Sequence, residues 1–439
     1  MGLWLYNLLL PVYLLVALPG LLIKMRRRGG YGGQFMQRFA SYSRELQFKE
    51  PCWWIHAVSV GEVMVALKLI AVIRQARPEQ RLILSTTSST GYATARERVG
   101  EQAEVIYNPL DVLGIVHRAL NRLRPELMVL MESEIWPNLI TVARKRGIPV
   151  VIANARLSPR SQRRYAKAQG LVTPTLNRLT AILVQDKADI GRWKSIGVHP
   201  DKLHHVGSVK FDPASLAAPK QSLTKTLQEI LSVCWPPISE NKVLLLGSSH
   251  AGEEAAVARV YQALRTDFPE LRLILVPRHF ERANEVLEDL KSLGLKVRRR
   301  STWDAGSDAS SEGDEVLLVD STGELRAWYG LADVTIIGKS FLGEGGQNPV
   351  EPIMESCPVV FGPHMQNFAV LVNSLVMADG ARQVGTLDDL ETQLREWLAD
   401  PLAAQAVAAR GRACLEAHSG ATRRTFEKLL EFAKDSASF

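Results

Sequence analysis

The stretch Ile55-His56-Ala57-Val58-Ser59-Val60-Gly61-Glu62 decides the fold. The apolar run from Cys52 to Ile55 enters it with the length of a buried strand, small residues turn the chain, and an apolar segment leaves it as a helix. Ser59 is placed to cap that helix and Glu62 to sit in its first turn. The same alternation recurs at Leu82 to Leu84, Leu127 to Leu130 and Val150 to Ile152, which predicts a series of βαβ units and an open, doubly wound parallel sheet.

A less regular stretch from Asp212 to Asn241, holding Pro213, Pro219, Pro236 and Pro237, interrupts the pattern. The alternation then restarts, with strands expected at Val243 to Leu246, Leu273 to Val276, Val316 to Val319, Val334 to Ile337 and Val359 to Phe361. The expected fold class is therefore α/β, with two Rossmann-like domains over residues 24–211 and 241–439 and a linker over 212–240. A chain of 439 residues also suits two cores better than one. Ala305 to Asp314, rich in Ser, Gly and Asp, reads as a surface loop.

With 46% hydrophobic and 23% charged residues the chain has the composition of a globular protein. A net charge of +7 favours anionic partners such as phosphates or acidic lipids. Without zinc-finger spacing, an aromatic-studded basic strand or a long Lys/Arg block, nucleic acid is not an expected partner. Cys52, Cys234, Cys357 and Cys414 lie far apart and form no CxxC pair, which argues against a zinc site or disulfide framework and for a reducing compartment.

Leu3 to Ile23 is apolar and uncharged, about 20 residues as a spanning helix requires, and Lys24, Arg26, Arg27 and Arg28 follow it. The charge follows the apolar run, the reverse of a cleaved signal peptide. Residues 1–23 are thus expected to anchor the chain in a membrane with the remainder in the cytoplasm. Pro11 and Pro19 would kink such a span, and a helix lying in the membrane plane is the alternative.

Ligands of open α/β sheets bind beyond the carboxyl ends of the strands, and the unusual residues of this chain cluster in those turns. Glu62 reads either as an ordinary first-turn residue or as a base able to take a hydroxyl proton. Thr86-Thr87-Ser88-Ser89-Thr90-Gly91 offers hydroxyls and N–H groups to phosphate or sugar oxygens, or is a plain cap. Met131-Glu132-Ser133-Glu134-Ile135-Trp136-Pro137 puts two acids beside a Trp, and Asn154 to Ser158 adds Arg156. Lys210, within Gly207 to Asp212, is suited to neutralise a leaving phosphate, or is a solvated surface lysine.

In the second half Gly247 to Glu254 forms a small-residue loop opening a helix, read as an anion site. Pro277-Arg278-His279, Asp320 to Leu325 and Gly338 to Pro352 end the next strands. The last is rich in glycine and carries Glu351, suited to ribose hydroxyls, but has no GxGxxG or Walker spacing.

In these motifs, taken in order from the N-terminal apolar segment to Phe361–Phe368, the chain closely resembles the 3-deoxy-D-manno-octulosonic acid (Kdo) transferases, lipid A glycosyltransferases. The resemblance implies a GT-B fold, a CMP-Kdo donor and a lipid A precursor, lipid IVA, as acceptor at the cytoplasmic face of the inner membrane. It implies no metal and no further cofactor. By position it makes Glu62 the general base, Glu132 and Lys210 the transition-state stabilisers, and Pro277, Arg278, Thr322, Gly323, Glu324, Asn348, Pro349, Val350 and Glu351 the CMP-binding residues. Gln37 stands where many members have Glu, Thr322 where Met is common, and Gln347 where the family has His. The rival expectations are a nucleotide-sugar epimerase of similar fold and a non-catalytic, membrane-tethered binding protein.

Overall fold

A computed structural model of the chain describes residues 2–27, 32–43, 46, 50–213, 219–235, 241–302 and 316–437. The expected loop at 305–314, Arg28, Pro236 and Pro237, and the side chains of Lys24, Arg26 and Arg27, lie outside what is described. The chain forms two compact units, Met1–Ser215 with His418–Phe439, and Leu216–Ala417.

The first unit is built on β1 (Cys52–Ala57), β2 (Leu82–Thr86), β3 (Glu104–Tyr107), β4 (Pro125–Met131), β5 (Val150–Ala155), β6 (Ala181–Val184) and β7 (Leu203–His205). They form one sheet in the order β3-β2-β1-β4-β5-β6-β7. Pairing is parallel, with Ile55 level with Leu84 on one side and Val129 on the other. Successive side chains of β1 feed opposite cores: Trp54 packs with Met128, Leu130 and Ile152, whereas Trp53 and Ile55 pack with Leu69, Ile70 and Val129. A sheet covered on both faces needs apolar residues at every position, which is why its strands read as unbroken runs.

The second unit repeats the architecture with β8 (Lys242–Ser249), β9 (Leu271–Pro277), β10 (Val297–Arg299), β11 (Val316–Leu318), β12 (Val334–Ile337), β13 (Val359–Phe361) and β14 (Arg382–Gln383). Their order is β10-β11-β9-β8-β12-β13-β14, again all parallel. Each unit is a Rossmann-like, doubly wound sheet, as the alternation predicts.

Three expectations about organisation are corrected. Residues 212–240 are not simply a linker, because the helix Gln221–Cys234 buries Leu227, Ile230 and Leu231 in a core of the second unit. The second unit does not extend to residue 439. The helix Ala421–Ala437 belongs to the first unit, where Phe426 and Leu429 are buried against the β1 face that holds Trp53, and the Asp212 carboxylate accepts the Gly420 and Thr422 amides at 2.9 and 2.7 Å.

The third concerns the N-terminus. A helix does run over Gly2–Arg27, but among the described residues no helix is long and apolar enough to cross a membrane. Polar side chains tie its first turns to the first unit: Tyr6 Oη donates to Asp111 Oδ2 at 2.9 Å, and Asn7 and Asn138 exchange amide hydrogen bonds of 2.9 and 2.7 Å. Asp111 also caps the helix Pro137–Lys145 by accepting the Asn138 and Leu139 amides. Trp4, Leu5, Leu8, Leu9, Val12, Tyr13 and Val16 remain exposed on the N-terminal helix.

Candidate active site

Four non-glycine residues adopt left-handed backbone at the carboxyl ends of central strands: Glu132 (φ 59°) after β4, Asn154 (φ 54°) at the end of β5, Ser248 (φ 56°) at the end of β8 and Lys339 (φ 57°) after β12. Each costs an L-residue roughly 1–2 kcal/mol and persists only where the surroundings impose it.

In the first unit Ser59 caps the helix Val60–Ala76, its Oγ accepting the Glu62 amide at 3.3 Å. The Glu62 carboxylate turns back, accepting the Val58 amide at 2.9 Å and the Ser59 hydroxyl at 3.0 Å. A capping arrangement of this kind normally leaves a carboxylate exposed and acidic. Here burial, with the Glu132 charge adding to it, holds the Glu62 carboxyl above its ordinary range, against the Val58 and Ser59 hydrogen bonds.

The β4 turn supplies the other charges. Glu132 donates its amide to Ala153 O at 2.9 Å and pairs with Arg156 Nε at 3.1 Å. Lys210 is held down by burial, while the Glu132 charge favours its ammonium and Arg156 opposes it. Glu62, Glu132 and Lys210 therefore share one electrostatic environment in the first unit. Glu134, the second of the two acids that the sequence places beside Trp136 but not among the expected catalytic residues, joins them. Burial first, then the charges of Glu62 and Glu132, push its carboxyl up to about 7. The signal was present in the pair of acids flanking Ser133, but spacing alone does not say which acid is buried.

Lys210 is positioned through its backbone. Asn154 Oδ1 accepts the Val209 amide at 3.0 Å, and Lys68 Nζ donates to Lys210 O at 3.0 Å. Asn154 is fully buried and needs its left-handed backbone at the end of β5 to present that oxygen. Gln37 is structural: its Oε1 accepts the Tyr107 amide of edge strand β3 at 2.9 Å.

In the second unit the order β11-β9-β8-β12 sets the remaining turns side by side. The loop after β8, read as an anion site, is instead filled by the chain's own acids. The Glu253 carboxylate accepts the amides of His250 (3.0 Å), Lys339 (2.6 Å), Ser340 (3.1 Å) and Phe341 (3.2 Å), stitching the β8 and β12 turns together. Glu254 takes Arg282 at 2.8 Å and the Ser249 hydroxyl at 2.8 Å. Gly338 has to be glycine, because a Cβ there would overlap the Ser248 carbonyl.

Of the expected nucleotide-binding residues, Pro277 ends β9, and Arg278 is exposed with its amide donating to Ser249 O at 3.0 Å. Thr322 and Gly323 are exposed in the β11 turn. The Glu324 carboxylate is engaged by Arg300, with contacts of 3.2 and 3.0 Å, and by the Ser321 hydroxyl at 2.7 Å. Asn348, Pro349, Val350 and Glu351 form one turn, in which Asn348 Oδ1 accepts the Val350 amide at 3.1 Å and its Nδ2 donates to Glu351 Oε1 at 3.3 Å. Gln347 bonds His250 Nε2 at 3.0 Å, so the His-to-Gln departure keeps a hydrogen-bonding side chain at this junction.

Both units are thus Rossmann-like sheets, with Glu62, Glu132 and Lys210 at the strand ends of the first and Arg278 and glycine-rich turns at those of the second. A glycosyltransferase of Rickettsia africae shares this fold, with a TM-score of 0.51 at 11% identity over 89% of this chain and 99% of that one. The sequence profile of 3-deoxy-D-manno-octulosonic-acid transferase (kdotransferase) matches residues 33–213. The 3-deoxy-D-manno-octulosonic acid transferases of Haemophilus influenzae and Bordetella pertussis are each 34% identical, over 86% of this chain and 86% of theirs. The chain belongs to the 3-deoxy-D-manno-octulosonic acid transferase family and is a glycosyltransferase.

Proposed function

We propose that the enzyme transfers Kdo from CMP-Kdo to a lipid A precursor, lipid IVA, in lipopolysaccharide core biosynthesis, with inversion and without a metal. The observation that carries the mechanism is the Glu62 carboxyl: buried, aimed by the Val58 amide and Ser59 hydroxyl, and held above its usual acidity. Glu62 takes the proton from an acceptor hydroxyl as that oxygen attacks the anomeric carbon of Kdo. The bond to the CMP phosphate breaks and its electron pair leaves with CMP. Glu132 stabilises the oxocarbenium character of the transition state, and Lys210 offsets the charge growing on the phosphate. Pro277, Arg278, Thr322 to Glu324 and Asn348 to Glu351 hold the nucleotide in the second unit, while the base belongs to the first.

The N-terminal helix places the enzyme on the inner membrane, its exposed face of Trp4, Leu5, Leu8, Leu9, Val12, Tyr13 and Val16 resting in the lipid surface. The test is mass spectrometry of the product made from CMP-Kdo and lipid IVA in anionic phospholipid vesicles with EDTA present. Lipid IVA carrying Kdo is expected. Its absence overturns the reaction, restoration of activity only by added metal overturns metal independence, and donor turnover without any acceptor favours the epimerase. A chain lacking residues 1–23 is expected to lose the vesicle-borne acceptor and keep the detergent-dispersed one; equal use of both overturns the membrane role.

The raised Glu62 carboxyl fixes a pH dependence. A base works ionised, so kcat rises with pH, with its acid limb above pH 4.5, the ordinary value for a glutamate. The Glu132 charge contributes to that elevation, so Glu132→Gln is expected to move the limb to lower pH while depressing the plateau. A limb that stays in place shows that another group sets it.

A further inference from the structure

We propose that His56 is an acceptor-binding residue whose Nε2 hydrogen-bonds a sugar hydroxyl and orients it for Glu62. The inference rests on the proposed acceptor site in the first unit. His56 lies near the end of β1, two residues before Val58, whose amide holds the Glu62 carboxylate. Its residue exposure is 1%. One side of the ring is fixed by Ser85, with Nδ1 at 2.9 Å from the hydroxyl and 3.2 Å from the carbonyl oxygen. The Ser85 hydroxyl is itself held by Trp54 Nε1 at 2.7 Å. The ring then packs edge-on to Trp136, centroid to centroid 5.7 Å at 75°.

A ring so constrained cannot turn to find another partner, yet Nε2 has none among the described residues. Buried polar atoms are almost always paired, so an orphan at the carboxyl end of a central strand points to a ligand. The choice of ligand chemistry follows from the ring. Burial pushes His56 down to about 3, with the Ser85 carbonyl opposing and Arg38 assisting, so it stays neutral and carries no proton for the reaction. A neutral imidazole with one nitrogen engaged offers a single hydrogen-bonding atom, and a hydroxyl matches it in either tautomer because it both donates and accepts.

Two isosteric variants separate contact from packing. His56→Asn places its amide near Nδ1 and loses Nε2, whereas His56→Gln reaches the Nε2 position. The expected result is an acceptor KM raised about tenfold in His56→Asn, the equivalent of one hydrogen bond, with donor KM and Tm near wild type. His56→Gln is expected to stay within about threefold of wild type. A wild-type acceptor KM in His56→Asn overturns the proposal, and so does an equal loss in both variants, which would mark a packing role. Acceptor analogues each lacking one ring hydroxyl provide an arm on the unmodified enzyme: one of them raises KM by about the same factor, and if none does the proposal fails. These readouts are acceptor KM values, so they remain distinct from failure of the base assignment, which is read in kcat of Glu62→Gln.

Discussion

Glu62→Gln is expected to lower kcat by roughly 10²- to 10⁴-fold, the usual contribution of a positioned general base, with donor KM unchanged. The glutamine has the shape of the original side chain, and its one carbonyl oxygen can still accept from Val58 N or Ser59 Oγ, the two partners of the native carboxylate. What it loses is the charge at the helix N-terminus, worth about 0.3–1 kcal/mol, and all ability to take a proton. Activity and stability are thereby separated: Tm moves by a few degrees at most while turnover collapses. If Glu62 were only a cap, the opposite pattern would follow, a small loss of stability with normal turnover. Initial rates with lipid IVA, paired with thermal melts, decide between them, and a kcat within threefold of wild type sinks the assignment.

That both readings of Glu62, cap and base, were visible from the sequence but not decidable there has a physical cause. Ser59 three residues before Glu62 is the spacing of a cap, and it does cap. The feature that raises the carboxyl is burial together with Glu132, which lies 70 positions along the chain and reaches Glu62 only through the adjacency of β1 and β4. The same contrast runs through the fold. Interior strands such as Leu127 to Leu130 are legible because both their faces are buried. The short strands Leu203–His205, Val297–Arg299 and Arg382–Gln383 lie at sheet edges, carry His, Arg and Gln, and leave no apolar run to read. The helix Ala421–Ala437 is amphipathic wherever it packs, so its sequence does not announce that it returns to the first unit. At the N-terminus, apolar length suggested a span, while Tyr6 and Asn7, the residues that tie the helix to Asp111 and Asn138, stood inside the apolar run without a visible purpose.

The larger stability effect is expected in the second unit, at Glu253. The two units place equivalent glutamates: β1 with its neighbour β4 matches β8 with its neighbour β12, Glu62 and Glu253 each open the helix that follows, and Glu132 and Lys339 each take left-handed backbone after the neighbouring strand. In the second unit the neighbouring turn offers the glutamate amides, and Glu253, 2% exposed, binds those of Lys339, Ser340 and Phe341 besides that of His250. In the first unit the neighbouring turn offers carboxylates instead, and Glu62 is left with a raised affinity for a proton. One position thus holds a neighbouring loop, whereas its counterpart accepts from Val58 and Ser59 of its own turn. Glu253→Ala strands the buried Ser340 N–H at about 1–3 kcal/mol and the part-buried N–H groups of His250, Lys339 and Phe341 at less each, for a net loss of roughly 3 kcal/mol. The β12 turn that it releases begins the Gly338 to Glu351 segment, so donor KM should rise as well. Urea unfolding and donor KM of Glu253→Ala check this, and a variant as stable as wild type with unaltered donor KM would show that the β12 turn holds its left-handed Lys339 without the carboxylate.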